Sequence, residues 1–305
     1  MMEKAKKIWM DGKFVDWDEA KVHILTHTLH YGFGVFEGTR CYKCVDGSAI
    51  FRLEDHLKRL YNSAQILGLD VPFPFDELIE ASKELVRING FEDCYLRHIV
   101  FIGEGEMGLG TMTNPIRVAI AAWKWGAYLG EEGLKKGIRL KTSSYTRIPI
   151  NSFPSKAKAV GNYINSILAK REALKAGYDE ALMLDENGYV AEASGENIFL
   201  VFDNTLITPP ESSSILNGIT RKSVIQLARD LGFEVREETF PRDTVYIADE
   251  VFLTGTAAEV TPVREVDERK IGKGVAGPTT LKIQEEFFKI VHGENQKYKN
   301  WLTYI

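Results

Sequence analysis

The sequence predicts a mixed α+β fold in which hairpin-rich sheets are flanked by helices in a two-domain chain. Turn pairs recur between β-rich runs, helical stripes lie among those runs, and 305 residues is length for two domains at about 150 each. Asp11-Gly12 separates Ile8-Trp9-Met10 from Phe14-Val15. Val45-Asp46-Gly47-Ser48 separates a strand through Arg40 and Tyr42 from Ala49-Ile50-Phe51. Asn187-Gly188 and Asp203-Asn204 repeat the signal, so the sheets are expected to be antiparallel.

The helices follow from spacing. Leu53, Leu57, Leu60, Ala64 and Leu67 form one stripe, ended by Gly68. Phe75–Ile88 ends at Asn89-Gly90; 162–176 carries Ile164, Ile167, Leu168 and Leu174; 220–231 carries Val224, Leu227, Ala228 and Leu231; 278–292 forms the last helix. The apolar strands Cys94–Ile102 and Ile116–Trp125 precede a glycine-rich stretch from Gly126 to Gly133. That stretch predicts an N-terminal α/β domain over 1–125, a linker over 126–137 and a C-terminal α/β domain over 138–305. No G-x-G-x-x-G opens a helix after a strand, and the mixed order excludes a doubly wound parallel sheet.

A net charge of -5 gives no global field for nucleic acid or anionic membranes. The charged start Met1-Met2-Glu3-Lys4-Ala5-Lys6-Lys7 lacks the apolar core of a signal peptide, and three cysteines fit a reducing compartment, so a cytoplasmic protein is expected. Cys41 and Cys44 form a lone C-x-x-C whose members point to opposite faces of a strand. They are read as packing, and no metal is expected.

Several stretches could carry chemistry. Ser155-Lys156-Ala157-Lys158-Ala159 sets two lysines among small residues, either as a solvated loop or with room for a ring beside an amine. In an extended chain the two share a face, so periodicity does not choose between them. Glu196 stands between Gly195 and an apolar strand; a half-buried carboxylate there needs a cation, a pyridinium nitrogen or an arginine. Leu216-Asn217-Gly218-Ile219-Thr220-Arg221 runs into a helix whose N-terminus could hold a phosphate or simply be capped. Thr254-Gly255-Thr256-Ala257-Ala258-Glu259 offers either backbone N–H groups for an anion or a tight turn. His56 and Arg59 lie one turn apart at the core's border, where an arginine takes an anion, from a ligand or from a salt bridge.

Taken together, these motifs resemble the branched-chain-amino-acid aminotransferases, within the fold-type IV pyridoxal-phosphate (PLP) enzymes. The likeness covers nearly the whole chain. It runs through His30-Tyr31-Gly32, Val35-Phe36-Glu37-Gly38-Thr39-Arg40, Tyr95-Leu96-Arg97, Trp125-Gly126-Ala127-Tyr128, Lys158 to Tyr163, Gly195-Glu196-Asn197, Gly218-Ile219-Thr220-Arg221 and Gly255-Thr256-Ala257-Ala258-Glu259.

The resemblance implies that Lys158, not Lys156, carries the cofactor, in the C-terminal domain. It implies Glu196 on the pyridine nitrogen and Tyr163 at the phenolic oxygen. Arg59, Thr256, Gly218 and the backbone of Ile219 and Thr220 would cradle the phosphate. Tyr95 and the Thr256–Ala257 backbone would take the substrate carboxylate, and Tyr31, Phe36, Trp125 and Tyr128 would line the side-chain pocket. Arg97 shares a strand face with Tyr95 and is expected at the pocket rim, reading the second carboxylate of glutamate or 2-oxoglutarate. The implied reaction is ping-pong transamination of L-leucine, L-isoleucine and L-valine with 2-oxoglutarate, by a homodimer that in some members builds hexamers. Competing readings are a D-amino-acid aminotransferase, which usually has arginine at the position of Tyr95 and histidine at that of Arg97, an aminodeoxychorismate lyase, and a PLP-binding protein without turnover. The intact Lys158, Tyr163, Glu196 and Thr256 argue against the last.

Overall fold

The structure is a computed structural model that describes residues 3–126 and 128–305; Ala127 of the expected linker and the first two methionines lie outside them. In chain order come β1 (Lys7–Met10), β2 (Lys13–Asp16), α1 (His27–Tyr31), β3 (Gly34–Cys44), β4 (Gly47–Phe51), α2 (Leu53–Ile66), α3 (Phe75–Asn89), β5 (Cys94–Ile102) and β6 (Ile116–Trp123). Then follow α4 (Glu131–Lys136), β7 (Ile138–Thr142), α5 (Tyr163–Lys175), β8 (Glu180–Leu184), β9 (Val190–Ala193), β10 (Asn197–Phe202) and β11 (Thr205–Thr208). The chain closes with α6 (Ile219–Asp230), β12 (Glu234–Glu237), α7 (Arg242–Tyr246), β13 (Glu250–Gly255), β14 (Glu259–Val266), β15 (Arg269–Lys270), α8 (Pro278–Val291) and β16 (Leu302–Tyr304). Among the described residues no helix is long and apolar enough to cross a membrane.

The chain packs as two compact units. The first comprises the chain up to Trp125, Ala157–Gly161 and Ile290–Ile305; the second comprises Gly126–Lys156 and Asn162–Lys289. The stretch around Lys158 therefore packs with the first unit, and helix α4 occupies part of the expected linker.

The first unit holds one sheet of order β16-β4-β3-β5-β6-β1-β2, antiparallel throughout. Its register puts Gly38 opposite Arg97, Arg40 opposite Tyr95, and Tyr95 opposite Trp123. Strand alternation then sorts two faces. Phe36, Gly38, Tyr95, Arg97 and Trp123 share one face, and Glu37, Leu96, His98 and Ile120 share the other. Helices α2 and α3 cover the second face: Leu53, Leu57, Leu60, Leu78 and Leu85 are fully buried in one core with Leu96, Val118 and Ile120. Each such leucine contributes about 1.5–3 kcal/mol of burial, which is what holds α2 against β3.

In the second unit the hairpins expected at Asn187-Gly188 and Asp203-Asn204 are present as β8–β9 and β10–β11, but the sheet is not antiparallel throughout. Its sheet, β12-β11-β10-β13-β14-β7-β8-β9 with β15 on β14, is mixed. The pairs β11–β12, β14–β7 and β7–β8 are parallel. Two of them are crossovers through α6 and α5, which turn dipeptides do not mark. Helix α5 corrects a second expectation. Ile164, Ile167, Leu168 and Leu174 are 65%, 53%, 42% and 52% exposed. The helix buries Ser166, Ala169 and Ala173 instead, and the two alanines pack with Tyr178, Ala181 and Met183. Small residues let the helix axis come close to the sheet, and the large apolar side chains are left outside.

Candidate active site

In the first unit, Lys158 is placed by backbone pairing. Phe36 N–H donates to Lys158 C=O at 3.0 Å, Val160 N–H to Gly34 C=O at 2.9 Å, and Gly161 N–H to Gly32 C=O at 3.0 Å. A Cβ on Gly32 would meet Gly161 Cα at 3.0 Å, so the two glycines permit this approach. Ala157 and Ala159 are buried, while Lys158 is half-buried with its Nζ 4.9 Å from the centre of the Phe36 ring. Its N–H donates to Ser63 Oγ at 3.0 Å, and the same hydroxyl donates to Arg59 C=O at 2.7 Å.

The open sheet face beside it is aromatic and cationic. The Arg97 guanidinium carbon lies 4.7 Å from the Phe36 ring centre, 5.7 Å from Tyr95 and 5.8 Å from Trp123. Arg97 is half-buried, its Nε finds no partner, and it forms no ion pair among the described residues. Its guanidinium rests against the aromatic wall rather than standing clear of it at a rim. Trp125 meets Tyr95 edge-on at 4.6 Å. Tyr31, at the end of α1, is 43% exposed and stacks obliquely on His27 at 4.6 Å.

Behind that face His56 and Arg59 meet an anion, Glu37, to which the sequence reading gave no role. The buried Glu37 accepts from Arg59 Nε at 2.5 Å and Nη2 at 3.0 Å, and from His56 Nδ1 at 2.8 Å. Burial alone would raise the Glu37 carboxyl; Arg59 and His56 outweigh it and hold it well below the usual carboxylate range. Burial lowers the His56 pKa against the pull of Glu37. Glu37 sits inside a strand between two motif residues, Phe36 and Gly38, where a charge is out of place unless partnered. That was the available signal.

In the second unit, the Glu196 carboxyl is buried and accepts from Gly195 N–H at 3.1 Å. Burial, reinforced by Glu180, pushes it up to about 8. Among the described residues no cation pairs with it. Nearby Glu192, also missed from sequence, pairs with Arg147 at 2.8 Å and accepts from the Asn197 side chain at 3.0 Å and Leu216 N–H at 3.1 Å. Asn197 Nδ2 also donates to Leu216 C=O at 3.0 Å. A Cβ on Gly218 would fall 2.0 Å from Asn197 Oδ1, so only glycine fits where the loop enters α6. Helix α6 starts at Ile219 and Thr220 without a side-chain cap. Arg221 does not face the helix start; it is buried and ties α6 to Pro209 C=O and Glu237, each at 2.8 Å.

Thr256 and Ala257 lie in the short loop between β13 and β14, closed by Glu259 at φ 55°. Tyr163 is the first residue of α5, and Tyr128 is 39% exposed with Lys170 Nζ 5.4 Å from its ring. Lys156 is spent on structure: its ammonium donates to Ser213 and Ile215 carbonyls, both at 3.0 Å, and burial lowers its pKa.

This donor set fits PLP. A buried carboxylate without a cation suits a ring nitrogen that must stay protonated, and an uncapped 12-residue helix behind a glycine suits a phosphate. The comparisons agree with that chemistry. The family profile of class IV amino-transferases matches residues 34–266. A branched-chain-amino-acid aminotransferase of Pseudomonas aeruginosa is 51% identical over 305 residues, covering 100% of this chain and 99% of that protein. A solved branched-chain amino acid aminotransferase of T.th. with pyridoxamine 5'-phosphate superposes with a TM-score of 0.96 at 55% identity, covering 99% of each chain. The T.th. enzyme complexed with N-(5'-phosphopyridoxyl)-L-glutamate gives 0.94 at 53% identity, again covering 99% of each chain. With sequence, fold and site chemistry converging over its full length, the chain belongs to the branched-chain-amino-acid aminotransferase family of class IV amino-transferases.

Proposed function

We propose that this protein is a PLP-dependent aminotransferase that exchanges the amino group of L-leucine, L-isoleucine or L-valine with 2-oxoglutarate, giving branched-chain 2-oxo acids and L-glutamate. The observation that carries the reading is the grouping of Lys158 Nζ and the Arg97 guanidinium on one aromatic ring, Phe36, at 4.9 and 4.7 Å. An amine, an apolar wall and a cation with no ion pair among the described residues together suit two substrates of which one has an apolar and the other an anionic side chain. When bound, PLP supplies the electron sink for the reaction.

The chain's own residues do the rest. Lys158 would carry the cofactor and, once its amine is released by the incoming substrate amine, would take and hold the proton of the substrate Cα. Glu196 holds the ring nitrogen protonated, and Tyr163 bonds the phenolic oxygen. Arg59, Gly218, the Ile219 and Thr220 N–H groups and Thr256 hold the phosphate. Tyr95 and the Thr256–Ala257 backbone take the α-carboxylate. Tyr31, Phe36, Trp125 and Tyr128 receive the hydrocarbon side chain, and Arg97 receives the distal carboxylate.

One observation favours a second carboxylate at the ring. Glu192, not Glu196, touches the loop that leads into α6, through Leu216 N–H at 3.1 Å, and it pairs with Arg147 at 2.8 Å. The division at 126–137 is proposed as the domain linker. A cytoplasmic homodimer, with a hexamer as its higher assembly, is proposed as well. The free thiols Cys41, Cys44 and Cys94 support a reducing compartment. The exposed Ile164, Ile167 and Leu168 of α5 support association. A coupled assay with 2-oxoglutarate tests the function: L-valine should be converted and D-alanine should not, and the reverse preference would reject it.

A further inference from the structure

We propose that Glu37 is a positioning residue for the cofactor phosphate, acting through Arg59; the inference rests on the proposed role of Arg59. Glu37 lies on β3 between Phe36 and Gly38, with its side chain on the sheet face opposite theirs. There it meets α2, which presents His56 and Arg59 one turn apart. Its two oxygens take the Arg59 Nε–H and one Nη2–H, at 2.5 and 3.0 Å. This side-on clamp fixes the guanidinium plane and turns the Nη1 edge away from the carboxylate. His56 holds the same carboxylate from the other side through Nδ1, at 2.8 Å.

Burial shows which member of the group faces outward. Glu37 and His56 side chains are 0% and 1% exposed, and only Arg59, at 12%, reaches the surface. The Arg59 backbone is tied to Lys158 through Ser63, at 2.7 and 3.0 Å. The phosphate-directed cation and the cofactor-bearing lysine are thus fixed to one another by Ser63 and aimed by Glu37. A carboxylate that merely competed with the phosphate for Arg59 would have the opposite effect, because its removal would strengthen the cation's hold.

The test measures PLP retention, by dialysis of the holoenzyme and by spectroscopic titration of the resolved protein with PLP. Glu37→Gln should weaken binding about ten-fold, the scale on which supporting partners of a first ligand act. The double variant Glu37→Gln/Arg59→Ala should bind no more weakly than Arg59→Ala alone, because the two act as a unit. If Glu37→Gln yields too little folded protein, Glu37→Asp keeps the charge and withdraws the clamp by one methylene, and should weaken binding as well. Unchanged or tighter PLP binding in either variant, or additive losses in the double variant, would overturn the inference while leaving Arg59 as a phosphate ligand. Wild-type retention in Arg59→Ala would overturn the reading beneath it, and the inference with it.

Discussion

The hydroxyl of Tyr95 occupies the space that a side chain at position 38 would need: a Cβ built on Gly38 would lie 1.8 Å from it. Cross-strand register brings them together, since Gly38 pairs with Arg97 and Tyr95 sits two residues earlier on the same face. The glycine of the Glu37-Gly38-Thr39 motif is therefore required by a neighbour, not by its own backbone.

Gly38→Ala should push the Tyr95 ring out of place at a cost of about 1–3 kcal/mol. If Tyr95 takes the α-carboxylate common to all substrates, kcat/KM for leucine and for glutamate should fall together. Steady-state kinetics with both would show it. A loss confined to one substrate would remove Tyr95 from the shared carboxylate site.

The two lysines should separate cleanly. Lys158→Ala should lose turnover and the near-visible absorption of lysine-bound cofactor. Lys156→Ala should keep both and lose stability instead, because the Ser213 and Ile215 carbonyls lose their donor. The opposite pattern, read from absorption spectra of the two purified variants, would reverse the assignment.

Glu196→Gln and Glu192→Gln should be compared side by side. The residue that keeps the ring nitrogen protonated should lose rate in proton abstraction, where negative charge reaches the cofactor, with PLP still bound. The other should chiefly lose stability. Single-turnover traces decide: an unchanged rate in Glu196→Gln with a large fall in Glu192→Gln would move the role to Glu192.

The Glu196 carboxyl also predicts a pH dependence of the cofactor-free protein. Its folded pKa, about 8, lies above the ordinary 4.5. The folded state thus holds a proton that the unfolded state releases, and stability from this group is complete below 4.5 and lost as pH rises through 8. Buried His98, lowered to about 3 from 6.5, changes stability only below 6.5 and leaves the upper window clear. Thermal melts between about pH 6.5 and 8.5 should show Glu196→Gln gaining on the wild type as pH rises. Parallel curves would mean the carboxyl is already ionised.

Much of the first unit was legible because its signals are local. The Leu53, Leu57, Leu60 stripe marked α2 to within one residue, and Asp11-Gly12 and Asp46-Gly47 marked true hairpins. The second unit was less legible. Its parallel pairs join strands far apart in sequence, and α5 buries alanines while exposing its isoleucines. Within the candidate site, motif order supplied Lys158, Tyr95 and Gly218, but not the groups that hold them. Glu37, Glu192 and Arg147 are charges whose ion-pair partners lie 19 or more residues away, so a charge out of place in a strand is visible locally but its partner is not.

We propose that one site serves both an apolar and an acidic side chain, with Arg97 reading the acid. Phe36, Tyr95 and Trp123 surround the guanidinium, and no carboxylate pairs with it among the described residues. A strand-stabilising salt bridge is thus not its occupation. In Arg97→Leu, glutamate should lose one charged partner, about 1.5–3 kcal/mol, or roughly ten- to a hundred-fold in apparent affinity. L-Leucine makes no such contact and should lose far less. Following each half-reaction separately through the cofactor spectrum measures both on the same enzyme. A large loss with L-glutamate beside a small one with L-leucine is expected; equal losses, or none with either, would remove Arg97 from the distal-carboxylate site.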